Sequence, residues 1–122
     1  MTAKPRNVDE FITSLEDANG NQRGETVRRI LDKIQEEFPN STVKIAWNAP
    51  QVQIDGEYVL GVMPAKGWLM LAVMMPETLV RLADQLGDYE VKRRTVRIPV
   101  DWTPDRQLLR NLILDRLAHL NG

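Results

Sequence analysis

The sequence predicts an α+β domain of order ααββββαβα, a largely antiparallel sheet of about five strands packed with helices. Three observations carry this expectation. Apolar residues recur at three- and four-residue spacing in 8–38 and again in 108–120. Between residues 42 and 75 the period changes to two. Inside that alternating stretch, Asp55-Gly56 is a strong two-residue hairpin signal.

The elements follow in order. Val8, Phe11, Ile12 and Leu15 fall on one helical stripe after Asn7, and Glu10 stands where a capping-box partner belongs, so a short first helix runs from Asn7 to about Glu16. Asn19-Gly20 breaks it. Val27, Ile30, Leu31, Ile34 and Phe38 define a second helix that Pro39 stops; Gly24 inside it is unfavourable by up to about 1 kcal/mol relative to alanine, so the helix frays there or packs closely on another backbone. Val43, Ile45 and Trp47 share one short strand and Val52 and Ile54 the next, with Pro50 bending the chain between them. Asp55 and Gly56 both tolerate positive φ, which turns the chain into a third strand, Tyr58 to Met63. After a turn at residues 64–67, Trp68 to Met74 is apolar at almost every position, the pattern of a central strand covered on both faces. Pro76 opens a third helix with Leu79, Leu82, Ala83 and Leu86 inward, ended by Gly87. Val96, Ile98 and Val100 alternate into the core and leave Arg97 facing outward or into a cleft. Thr103-Pro104 caps a last helix carrying Leu108, Leu109, Leu112, Ile113, Leu117 and Leu120.

A chain of 122 residues suits one domain, here residues 1–122, able to bury roughly two thirds of the surface its unfolded form exposes. With 43% hydrophobic and 27% charged residues and a formal net charge of -1, there is no global electrostatic case for a nucleic-acid or membrane partner. The absence of cysteine excludes a disulfide framework, a thiolate metal site and a cysteine nucleophile. Residues 1–10 lack the apolar run of a signal peptide, and no stretch approaches a membrane span, so the expected location is the cytoplasm. Ser14 and Ser41 have no visible histidine partner, and His119 sits where it complements a helix dipole. No catalytic constellation is present, and the expectation is a protein that is not an enzyme.

The run Lys44-Ile45-Ala46-Trp47-Asn48-Ala49-Pro50 places a cation, an exposure-prone indole and a proline directly after a helix. Together with Phe38-Pro39-Asn40 before it, Asp55-Gly56 and Gly61 after it, Ala65-Lys66, and Val96-Arg97-Ile98-Pro99 near the end, it resembles the YdhG-like family, the frataxin-like intracellular iron chaperones, over nearly the whole chain. The resemblance implies weak, transient binding of Fe2+ and its delivery to iron-sulfur or haem assembly proteins.

With thiolates missing and a single histidine, iron would need oxygen ligands. On the second helix Asp32 and Glu36 are four residues apart and Glu25 lies on nearly the same face; on the first, Asp9 and Glu10 precede Glu16 and Asp17. An ordinary solvated face with i,i+4 pairs, Arg28 to Asp32 and Lys33 to Glu37, explains the second-helix acids equally, and dipole complementation explains Asp9 and Glu10. Lys44, Trp47, Lys66 and Arg97 form the other candidate set. An indole flanked by cations suits a peptide or a small anionic ligand, in which case the protein is a binding or adaptor module; the alternative is a core indole with snorkelling cations. Lys92-Arg93-Arg94 is the only basic run, too diluted by Asp88 and Glu90 to argue for nucleic acid, and Met63, Met70, Met74 and Met75 read as core filling.

Overall fold

The computed structural model describes residues 7–19, 22–65 and 67–121. Helices α1 (Val8–Asn19) and α2 (Gln22–Glu37) precede four strands, β1 (Ser41–Ala46), β2 (Ala49–Ile54), β3 (Glu57–Ala65) and β4 (Trp68–Ala72). Then come α3 (Pro76–Arg81) with a 3-10 turn at Ala83–Gln85, the two short strands β5 (Glu90–Val91) and β6 (Thr95–Ile98), and α4 (Arg106–Asn121). The strands form one six-stranded antiparallel sheet in the order β1-β2-β3-β4-β6-β5. No helix among the described residues is long and apolar enough to cross a membrane.

Local chemistry sets the helix ends. Asn7 Oδ1 accepts the Glu10 N–H at 2.9 Å while the Asn7 amide donates to Glu10 Oε2 at 3.1 Å, a reciprocal cap made between the residues that the sequence pairs. Helix α2 buries Val27, Ile30, Leu31 and Ile34 together with Gly24, and Phe38 lies half-buried against the same core. Thr26, also buried, donates to the Val100 carbonyl and ties α2 to the turn that follows β6. The cap of α4 is Asp105, whose carboxylate accepts the Leu108 N–H at 3.1 Å, and not Thr103. Both residue types cap well; position decided between them.

The helices cover one face of the sheet. Val52, Leu60, Val62, Leu69, Leu71, Val96 and Ile98 point into the core made with Ile30, Ile34, Leu109, Leu112 and Ile113. Between Val52 and Gln53 the β2–β3 register shifts, so Val59 and Leu60 are both buried, and the Tyr58 carbonyl beside this bulge accepts from Arg116 Nε of α4 at 3.0 Å.

Several expectations are corrected. Strand β4 is central in the sheet, but its burial alternates: Leu69 and Leu71 are buried while Trp68, Met70 and Ala72 are half-buried, because only one face carries helices. Trp47 is not a strand residue. It forms with Asn48 the two-residue β1–β2 turn, with φ of 53° and 62°, the primed hairpin geometry that matches strand twist. Pro50 is accommodated within β2 opposite Ile45 of the edge strand, outside the β2–β3 register, and does not separate two strands. Strand β3 runs on to Ala65, with Pro64 inside it. The sheet has six strands because the two-residue β5 adds to the expected five; a two-residue strand is too short to show a period.

Candidate functional site

Two surfaces carry the residues singled out from the sequence. The first is the outer side of α1 and α2. Asp9 accepts from Arg28 at 2.9 Å across the two helices, Glu25 pairs with Arg29 one turn on, and Glu36 is shared between Lys33 at 3.8 Å and Arg106 of α4 at 2.8 Å. The expected Arg28–Asp32 and Lys33–Glu37 pairs are replaced: helix packing brings Asp9 to Arg28, and Glu37 is met by Arg106 at 3.3 Å. Asp32 stands exposed, with no ion pair among the described residues, and Glu10 is engaged in the α1 cap. The side chains of Glu16 and Asp17 lie outside the described residues. Among the described residues no three acidic or histidine side chains converge as a ready metal cage. These acids therefore form an exposed, ion-paired surface that a hard cation would have to share with arginines.

The second surface is the open face of the sheet. Trp47 projects there from its turn, 65% exposed, with its ring tilted against Tyr58 at 4.8 Å between centroids. A bulky residue at positive φ is uncommon and unfavourable, so the turn holds the indole out at some local expense. The register carries the face across the sheet, from Lys44 on the β1 edge through Gln51, Gly61 and Ala72 to Thr95, with Met63, Met70, Arg97 and Glu90 in the adjoining row. Trp47 and Arg97 thus lie on one face, Lys44 at its edge; Lys66 is outside the described residues. Arg97 is already engaged, its guanidinium 3.8 Å from the Trp68 ring centroid and paired with Glu90 at 2.8 Å.

Among the described residues, two hollows on or beside this face bear on the candidate side chains. The larger, about 590 Å3, is lined by Trp68, Tyr89, Arg97 and Trp102; its polar groups satisfy one another, Arg97 with Glu90 and the Trp102 indole N–H with the Tyr89 hydroxyl at 3.1 Å. The smaller, about 460 Å3, lies beside Trp47 and includes Gln51, Met63, Met74, Arg94 and Thr95. It was not legible in the sequence as a set: the arginine beside it is Arg94, not Arg97, and Gln51 carries no motif.

A third polar cluster joins α3 to α4. Arg81 grips Asp115 with two hydrogen bonds of 2.7 Å, Thr78 donates to the same carboxylate at 2.7 Å, and His119 Nδ1 sits 3.3 Å from Arg81. The Arg81 hydrogen bonds, opposed by partial burial and assisted by Thr78, hold the Asp115 carboxyl below the usual carboxylate range. Thr78 is buried and saturated by this bond, so the cluster is a clasp between helices rather than a nucleophile with its base.

No family model matches the chain. It is 28% identical over 108 residues to the intracellular iron chaperone frataxin of Bacillus subtilis (strain 168), covering 85% of this chain and 83% of that protein. Among solved structures, a DUF1801-family protein of Bacillus subtilis, YdhG, superposes with a TM-score of 0.80 at 22% identity, covering 91% of this chain and 88% of its own. An uncharacterized conserved protein of Lactobacillus casei matches with a TM-score of 0.53 at 25% identity, over 81% and 82% of the two chains. The antiparallel six-stranded sheet with helices on one face is therefore the YdhG-like α+β fold that the sequence predicts.

Proposed function

We propose that this protein is a YdhG-like intracellular iron chaperone, a non-catalytic carrier that binds Fe2+ weakly and releases it to iron-sulfur or haem assembly proteins in the cytoplasm. The observation that carries the reading is the alignment, over most of both chains, with a protein named for that activity. The surface chemistry is compatible with a cargo site. Asp9, Glu25, Asp32 and Glu36 offer oxygen donors to a divalent cation, and the arginine contacts made by Asp9, Glu25 and Glu36 are exposed pairs worth about 0 to 1 kcal/mol each. An incoming dication displaces such partners at little expense, and an open site of this kind gives back its ion readily. Its affinity lies in the micromolar range, and Mg2+ and Mn2+ compete appreciably.

Calorimetric titration of Fe2+ under anaerobic conditions tests this, with Asp32→Ala and Glu36→Ala beside the wild type. Saturable heat that weakens in the variants is expected; no iron heat at protein concentrations near 100 µM would remove the chaperone reading.

A further inference from the structure

The basic run Lys92-Arg93-Arg94 forms the tip of the β5–β6 hairpin. The Lys92 N–H donates to the Thr95 carbonyl at 2.9 Å, which leaves Arg93 and Arg94 as the two connecting residues. All three are exposed. Lys92 stands 3.7 Å from Glu90, but Arg97 already holds that carboxylate at 2.8 Å, and neither Arg93 nor Arg94 has an ion pair among the described residues. The tip therefore keeps its positive charge.

Beside the tip the surface turns apolar. Val80 and Val91, 75% and 38% exposed, are two of the four exposed large hydrophobics among the described residues, and both line one hollow of about 430 Å3 with Leu79 and Ala83. Single exposed valines need no explanation, whereas two that share a hollow make a patch. The charged residues that line it, Lys92 and Arg93, are both cations; Glu77 and Asp84 of the α3 segment do not line it.

The hollow also borders a free strand edge, since β5 is the last strand of the sheet. Lys92 and Thr95 are a hydrogen-bonded pair, so the next pair, Val91 and Val96, is the non-bonded kind, and the Val91 N–H and carbonyl point away from β6, off the edge. Val91 lies opposite buried Val96, which sets its side chain on the helix side of the sheet, toward α3. An extended chain laid along this edge meets one backbone donor, one acceptor, an aliphatic floor and a cationic end.

We propose that the groove between β5 and α3 docks an acidic, extended segment of a partner protein. The segment adds as a strand beside Val91, sets an aliphatic side chain over Val80 and Val91, and brings its carboxylates to the tip at residues 92–94. An anionic membrane suits the site less, because three cations on a chain of net charge -1 attract it weakly and lipid headgroups make no use of a strand edge. Helices α1 and α2, which carry the acids of the iron reading, pack toward the β1 edge at the other end of the sheet, so the proposal stands or falls without that reading.

The probe is the acetylated, amidated peptide EDVIVDE, titrated into isotope-labelled full chain and followed by amide shifts. EDSGSDE, which lacks the aliphatic side chains, and QNVIVNQ, which lacks the charges, serve as comparisons. Saturable shifts clustered at residues 80, 83 and 91–94 are expected, weakened by added salt, with each comparison peptide binding about tenfold more weakly. Val80→Asp and the double change Arg93→Glu with Arg94→Glu, all at exposed positions, should each lower the affinity for EDVIVDE by about tenfold or more. Val91→Pro removes the edge N–H without breaking a bond to β6 and should weaken binding likewise; should it fail to fold, Val80→Asp and the charge-reversed tip carry the test. Equal affinities for the three peptides, shifts centred elsewhere, no saturation at millimolar peptide, folded variants that bind like the wild type, or sedimentation with phosphatidylserine vesicles in place of peptide binding would overturn the proposal.

Discussion

Gly61→Ala is the perturbation whose magnitude the structure constrains most closely. The added Cβ would stand 2.5 Å from Gln51 Oε1 and 3.1 Å from both Cδ and Nε2, so the buried amide has to move. Moving it strains a packed site, at about 1 to 3 kcal/mol, and loosens the Nε2 bond to the Ala46 carbonyl, at about 0.5 to 1.5 kcal/mol. Against this, alanine restricts the unfolded chain and returns about 0.4 to 1 kcal/mol, since Gly61 is not among the positive-φ glycines. Gln51 is the flexible partner and yields partly, so the net destabilisation is about 1 to 2 kcal/mol. Urea melts of a double-mutant cycle measure it. In a Gln51→Ala background the clash is gone, and Gly61→Ala should become neutral or stabilising by up to about 1 kcal/mol. The same effect in both backgrounds, whatever its sign, would refute the claim that Gly61 is small to make room for Gln51.

Ile34→Ala on α2, a fully buried side chain, should destabilise by about 2 to 4 kcal/mol in the same melts, and a loss under about 0.5 kcal/mol would contradict the packing described for α2. Trp47→Gly should stay within about 1 kcal/mol of wild type, because relief at the positive-φ turn offsets the lost contact with Tyr58; a loss of several kcal/mol would make the ring a core element. Asp115 has its pKa lowered in the folded state, so its contribution is present above the unfolded carboxylate value near 3.9 and is lost as pH falls through the lower folded value. Asp115→Asn should therefore destabilise by about 1 to 3 kcal/mol at pH 7, and the difference should shrink in melts carried out progressively below pH 4; a gap that stays constant with pH would exclude the charged clasp.

Helices α1, α2 and α4 were legible because their patterns are long and carry chemical signals: Asn7 with Glu10 at one end, Pro39 beyond another, and a leucine-rich face on α4; the third, expected to run to Gly87 with Ala83 inward, ends at Arg81 and passes into a 3-10 turn with Ala83 exposed. The Asp55-Gly56 hairpin was legible for the same reason, each residue standing at positive φ where the turn demands it. Trp47-Asn48 makes a turn of the same family from residues that do not advertise it, so the alternating pattern reads the indole as a strand residue. A continuous apolar run such as Trp68 to Met74 describes a strand buried on both faces or one with an apolar open face equally well; where the helices pack decides, and periodicity does not contain that information. The ion pairs of Asp9 and Glu37 depend on α1–α2 and α2–α4 packing, beyond the reach of i,i+4 spacing. For the open face, strand parity put Arg97 outward but not into contact with Trp47. Arg94, just before β6, lies beside the Trp47 hollow instead, and only the pairing of β4 with β6 brings it there.

Paramagnetic line broadening by Fe2+ tests the central claim most directly, because it reports both whether the ion binds and where. Anaerobic additions of substoichiometric Fe2+ to labelled protein should first broaden amides near Asp9, Glu25, Asp32 and Glu36 on the outer side of α1 and α2, leave the sheet face sharp, and be reversed by excess Mg2+. Uniform spectra through one equivalent of iron, or broadening confined to the sheet, would contradict the chaperone account.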